Sequence, residues 1–203
     1  MAARLKLPTD GPGWTLVGQL IYSMLVSLDG YVADANGDFS WAQPTEQALT
    51  KITTDMANVG TFLYGRRMYE IMAVWETDPQ LAASSPESAR FGQTWQAAKK
   101  IVYSQQLKTT QSDRTELQRA FEPEDIRALK QASDRDLTID GPTLAAEAFR
   151  HKLVDRVFVL LCPVIIGSGL GFWPRHRCDL NLDQVEHLDG GIVYLKYEVV
   201  HDQ

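Results

Sequence analysis

The residues of this chain that can do chemistry fall into four glycine- or hydroxyl-bearing segments and a few acidic and aromatic side chains. Gly65-Arg66-Arg67 follows a short apolar stretch, Thr61 to Tyr64. A glycine lets a ligand approach the backbone, and arginine forks match phosphate oxygens in pairs. A solvated basic pair at a strand end is the plainer alternative. Gly141-Pro142-Thr143 stands between a strand-like and a helix-like stretch. Helix-start N–H groups and the Thr143 hydroxyl can hold an anion there, or simply form a cap. Ser104-Gln105-Gln106 offers hydroxyl and amide donors suited to an adenosine 2′-phosphate. Gly167-Ser168-Gly169-Leu170-Gly171 fails the spacing of a dinucleotide fingerprint, and Phe172-Trp173-Pro174 follows where a helix should begin. It reads as a loop in which Gly167 and Gly169 let backbone come close to a cofactor.

The substrate-side candidates lie nearer the N-terminus. Asp29 can orient or protonate a nitrogen heterocycle, although Asp29-Gly30 is also a common turn pair. Glu46, five residues after Trp41, can bind an N–H and amidine edge or complement a helix dipole. Trp41 and Trp75 can line a pocket for a flat ring, or belong to the core. The four histidines have no metal-ligand spacing, and no nucleophile stands beside a base, so neither metal nor covalent hydrolytic chemistry is expected. Cys162 and Cys178 form no disulfide framework, and the ligand motifs of a zinc deaminase are absent.

These groups need a scaffold, and a chain of 203 residues, 44% apolar and 23% charged, is expected to supply one ordinary globular domain over 17–203 after a flexible arm at 1–16. A net charge of -6 gives no basic field for nucleic acid, and no apolar run reaches the length of a bilayer span, so a cytoplasmic protein is expected. Val17 to Ser27 reads as a buried strand, with strand-like Tyr31 to Ala33 after the turn. Pro44-Thr45-Glu46 opens a helix through Ala57, its Leu49, Ile52 and Met56 spaced for one face. Pro79 to Glu87 reads as a surface loop and Phe91 to Ala98 as a short helix. Lys100 to Ser104, Thr115 to Phe121 and Leu137 to Asp140 read as strands, with helices at Pro123 to Ala132 and Thr143 to Lys152. Val154 to Ile166 is the longest apolar run, and Leu180 to Val200 reads as a hairpin turning at Asp189-Gly190-Gly191. This alternation predicts an α/β fold: a mixed, mostly parallel sheet, helices on both faces, and a C-terminal antiparallel hairpin. Ligands of such sheets bind beyond the carboxyl ends of the strands.

In order, Ser27-Leu28-Asp29-Gly30-Tyr31, Trp41, Gly65-Arg66-Arg67-Met68-Tyr69-Glu70, Ile139-Asp140-Gly141-Pro142-Thr143-Leu144-Ala145, Leu153-Val154-Asp155 and Pro163-Val164-Ile165-Ile166-Gly167-Ser168-Gly169 resemble the RibD C-terminal/dihydrofolate reductase-like family. The resemblance implies a dihydrofolate reductase-like fold, a homodimer, bound NADPH and hydride transfer to a pyrimidine- or pterin-like ring. It implies that Gly65, Arg66 and Arg67 hold cofactor phosphates, that Ser104 lies near the adenosine end, and that Gly141, Pro142, Thr143 and Leu144 grip the pyrophosphate. Asp29 takes the place of the family's substrate-side aspartate, and Trp41 to Glu46 is similar to the dihydrofolate reductase segment that carries a pterin-binding carboxylate. Riboflavin-pathway members have a basic residue where this chain has Tyr31, so Tyr31 faces the substrate without the means to pair a phosphate. A 5-amino-6-(5-phosphoribosylamino)uracil reductase of riboflavin biosynthesis is the function the resemblance implies. A dihydrofolate or pteridine reductase, and a non-catalytic NADPH-binding or ligand-sensing protein, are the alternatives.

Overall fold

The computed structural model describes residues 17–201, so the arm expected at 1–16 lies outside the described residues. The elements in chain order are β1 (Leu20–Ser27), β2 (Tyr31–Asp34), α1 (Glu46–Met56), β3 (Val59–Gly65), α2 (Arg66–Met72), α3 (Val74–Thr77), α4 (Pro79–Ala82), α5 (Pro86–Ala97), β4 (Lys99–Tyr103), β5 (Thr115–Gln118), α6 (Pro123–Ala132), β6 (Asp136–Asp140), α7 (Pro142–Arg150), β7 (Arg156–Cys162), β8 (Gly169–Gly171), β9 (Leu180–His187) and β10 (Val193–Val199). Eight strands form one sheet in the order β5-β4-β3-β6-β1-β7-β10-β9. β5 through β7 run parallel to their neighbours, and β10 is antiparallel to both β7 and β9. The mixed, mostly parallel sheet with a C-terminal antiparallel hairpin is therefore as expected.

Helices cover both faces because the central strands are apolar on both. In β1, Ile21 and Leu25 point to the side where Ala48 and Met56 of α1, Tyr69 of α2, and Phe91 and Trp95 of α5 pack. Leu20, Tyr22 and Val26 point to the other side, against Ile126 of α6 and Ala145, Ala148 and Phe149 of α7. An apolar run buried on both faces is what a parallel strand between helix layers requires.

Two segments differ from the sequence reading. The stretch 79–87 holds α4 and the start of α5 rather than a loop. Asp78 accepts from the amides of Gln80 (3.0 Å) and Leu81 (3.3 Å), Ser85 accepts from Ser88 (3.0 Å), and a proline opens each helix. Its Ser, Asp and Pro content is thus helix-start chemistry. The glycine-rich segment after β7 is also partly ordered as a strand: β8 pairs with β2, Gly169 opposite Asp34 and Gly171 opposite Tyr31. A Cβ at Gly169 would lie 2.0 Å from the Ala33 carbonyl oxygen, so glycine is what allows the two backbones to meet.

Candidate functional site

The carboxyl ends of β4, β3, β6, β1 and β7 lie side by side along one edge of the sheet. Tyr64 pairs with Asp140, which sets Gly65 beside Gly141, and Ser27 pairs with Cys162, which sets Asp29 beside the segment after β7. The chain leaves β3 over the face packed by α1, α2 and α5, but leaves β6 over the face packed by α7. Connections departing to opposite faces open a crevice at the tip of β6, the usual ligand position in such sheets.

One side of this crevice is suited to an anion. A Cβ at Gly65 would meet nothing within 4 Å, and one at Gly141, whose φ is 96°, would touch the side chain of Met68 at 3.5 Å. The starts of α2 and α7 are therefore neighbours. α7 opens on Gly141 and Pro142 without a side-chain cap, and its Thr143 is exposed. Leu144 turns its side chain to the core cluster of α6 and α7, so only its backbone is left to face a ligand. Arg66 is held on its own helix by both carboxylate oxygens of Glu70 (2.9 and 2.8 Å), whereas Arg67 is exposed. At the next tip, the Ser104 hydroxyl accepts from the amides of Gln106 (3.1 Å) and Leu107 (2.9 Å), so it shapes the turn after β4.

The other wall is built on Asp29. Its carboxylate accepts from the Ser27 hydroxyl (2.7 Å) and from the amides of Ile166 (3.2 Å) and Gly167 (2.7 Å), and the Leu28 amide donates to the Val164 carbonyl (2.8 Å). The Ser27 hydroxyl leads in holding the Asp29 carboxyl below its ordinary range; slight burial opposes it, and the Gly167 and Ile166 amides add to it. Asp29 is thus an ionised latch across the loops after β1 and β7. This latch contributes stability above the ordinary carboxyl range and loses it as pH falls through the depressed value. In Asp29→Asn the Ile166 and Gly167 amides should exchange hydrogen faster at neutral pH, with a lowered Tm; unchanged protection of both amides would refute the latch.

The aromatic and acidic candidates divide. Tyr31 is half-buried at the start of β2, where its amide donates to Ser27 Oγ (2.9 Å). Trp41 packs against the core of the α1 face, and its Nε1 is buried with no hydrogen-bond partner among the described residues. Glu46 is exposed at the first position of α1, which Thr45 caps through the Ala48 amide (3.2 Å). That helix start abuts the β9–β10 turn, where the Asp189 amide donates to Gln47 Oε1 (2.6 Å), and Gly191 in turn approaches Pro163 after β7. Glu46 therefore sits at the β7 end of the row of tips and Arg67 at the β3 end. Trp75 does not join them: its ring meets Phe91 edge-on at 4.7 Å and its carbonyl accepts from Gln96, so it serves the packing of α3 on α5. Of the two readings of Trp75, ring pocket or core, these contacts are those of packing, as an aromatic on a short helix meets its longer partner first.

Asp140, to which the sequence reading gave no role, ends β6 at the floor of the crevice. It is 8% exposed and accepts from Thr138 Oγ1 (3.0 Å) and from the Ser23 amide. Burial pushes its carboxyl up to about 7 against those two donors. The signal was present as polar Thr138 and Asp140 alternating with apolar Leu137 and Ile139 in a strand that is buried on both faces. Among the described residues no cluster of His, Cys, Asp and Glu could hold a metal ion, and no helix is long and apolar enough to cross a membrane.

The profile of the RibD C-terminal domain matches residues 19–194. No protein of curated function matches the sequence. Among solved structures, a Shewanella sp. PV-4 protein named for riboflavin biosynthesis is similar at 19% identity and a TM-score of 0.71, over 90% of this chain and 99% of that one. A Thermotoga maritima diaminohydroxyphosphoribosylaminopyrimidine deaminase/5-amino-6-(5-phosphoribosylamino)uracil reductase is similar at 20% identity and a TM-score of 0.59, over 91% of this chain but only 57% of that one. Dihydrofolate reductase from Enterococcus faecalis, complexed with NADP(H), is similar at 13% identity and a TM-score of 0.57, over 91% of this chain and 98% of that one. At these identities the likeness is one of fold, and the fold is dihydrofolate reductase-like.

Proposed function

The chain belongs to the RibD C-terminal domain family, and from that premise we propose that it is an NADPH-dependent reductase of a pyrimidine- or pterin-like ring. The observation that carries this reading is the pairing of Tyr64 with Asp140, which sets Gly65 beside Gly141 and so brings the starts of α2 and α7 to adjoining strand tips although their sequence positions lie far apart. The residues fit a dinucleotide. Open space stands where a side chain would project from Gly65 or Gly167, and Arg67 and the start of α7 offer donors to phosphate. When bound, NADPH supplies the hydride.

The chain's own residues bind and orient. Arg67 and the Thr143 hydroxyl hold phosphate, and Gly65 and Gly141 let the nucleotide lie against backbone. The buried Trp41 Nε1–H donates to an acceptor on the substrate ring, which relieves an otherwise orphaned donor. Asp29 keeps the segment 164–167 closed over the crevice and, being ionised, orients rather than protonates. The riboflavin-pathway aminouracil reductase is the substrate assignment within this reading, and exposed Glu46 on α1 is the feature that favours a pterin instead. A homodimer belongs to the same proposal; the edge strand β9 leaves Leu182 and Val185 exposed.

NADPH should raise the melting temperature of the protein, since a ligand that binds only the native state stabilises it. Arg67→Glu replaces an attractive charge with a repulsive one and should weaken NADPH binding at least about tenfold. Titration of NADPH fluorescence measures this, and equal affinity in both proteins would remove the assigned phosphate site.

A further inference from the structure

We propose that Asp140 makes occupation of the crevice proton-linked: an anionic dinucleotide is accepted when this carboxyl is neutral and is opposed when it is ionised. The inference rests on the dinucleotide reading above and adds a specificity-determining residue to it. Asp140 is the last residue of β6, immediately before Gly141 and three positions before Thr143, so any phosphate held by the start of α7 lies close to it.

What surrounds the carboxyl leaves its charge uncompensated. From β6 it meets Thr138, and from β1 the Ser23 amide. The titratable neighbours are Tyr22 of β1 and Tyr64 of β3, and both are themselves pushed up, by burial first and by Asp140 second. From α2, Met68 approaches at Gly141. No lysine, arginine or histidine among the described residues forms an ion pair with Asp140. The nearest charged residues on α2 are committed or turned out, Arg66 to Glu70 and Arg67 to solvent. A buried carboxylate with two neutral donors and no counter-ion gives up its proton late, here at about 7. Further negative charge beside it delays that loss again. Binding an anion and binding a proton at this tip therefore favour each other, and linkage requires the effect to be mutual.

The test uses the chain of 203 residues, NADPH and calorimetry in pairs of buffers with different ionisation enthalpies, which counts the protons taken up on binding. At about pH 8 the free carboxyl is mostly ionised, while the second ionisation of the NADPH 2′-phosphate is already complete. Uptake approaching one proton per site is expected there, falling towards none at about pH 6, and NADPH affinity should drop by up to about tenfold per pH unit above 7. Asp140→Asn should bind with no uptake and show at least about tenfold tighter binding than the parent at pH 8.5. Binding by the parent without proton uptake at pH 8, or the same uptake in Asp140→Asn, overturns the proposal while leaving the dinucleotide site intact. Absence of NADPH binding by either protein at every pH overturns both.

Discussion

At about pH 8, Asp140→Asn is expected to be more stable than the parent protein by about 4 kcal/mol, and most of that gain should be gone at about pH 4. The native carboxyl titrates at about 7 and the unfolded one near its ordinary value of 3.8. Between those two values the native state holds a proton that the unfolded chain has released, so stability falls as pH rises through that window and is level above it. Asparagine never ionises, and it keeps an acceptor oxygen for Thr138 Oγ1, so the substitution removes the pH-dependent cost and leaves much of the local bonding. Urea unfolding of both proteins at the two pH values reads the difference directly. A gain of equal size at both, or none at either, would mean that Asp140 is not buried as an uncompensated acid. A protein that carries such a cost at its crevice is exchanging stability for a site, which is where strained or poorly compensated groups concentrate.

Gly169→Ala should act in the opposite sense and cost at least about 3 kcal/mol. The new Cβ would stand 2.0 Å from the Ala33 carbonyl oxygen and 2.9 Å from Asp34 Cα, and φ at this position is 157°. Neither obstacle is the free end of a side chain that can swing away, so the β2–β8 ribbon must open. Because that ribbon continues from the loops latched by Asp29, its opening should also loosen the wall of the crevice. A clear fall in Tm together with faster exchange of the amides paired across β2 and β8 is the expected result. A Tm within a degree or two of the parent would contradict the close approach of these backbones.

Much of the scaffold was legible because its signals are local. Both faces of β1 are apolar, Thr45 caps the helix it precedes, and prolines open α6 and α7. The tips were also legible as candidates, since glycine at a strand end lets a ligand approach the backbone. What could not be read was the strand order. Nothing local in Thr61 to Tyr64 says that Leu137 to Asp140 lies beside it, and that pairing is what brings Gly65 to Gly141. The same ignorance left both readings of Trp75 open, since its neighbour Phe91 is decided by how α3 folds back on α5. It also passed over Asp140, because a polar residue at a strand end is unremarkable until both flanking strands and both helix layers are known. From the sequence Asp29 can orient or protonate a ring or make a turn, and its partners Ile166 and Gly167, 137 and 138 positions away, cannot be foreseen from an Asp-Gly pair.

The placement of β1 between β6 and β7 has a consequence for how the molecule comes into being. β1 precedes every other strand of this sheet in the chain, yet its partners on either side are Leu137 and Thr138 on one edge and Arg156 to Cys162 on the other. Through most of synthesis this apolar segment has no mate, and the right half of the sheet cannot assemble until the last third of the chain is available. Long-range pairing of this kind makes folding slow and leaves the nascent chain exposed to wrong partners. The crevice, lined by segments far apart in the sequence, is among the last features to be completed.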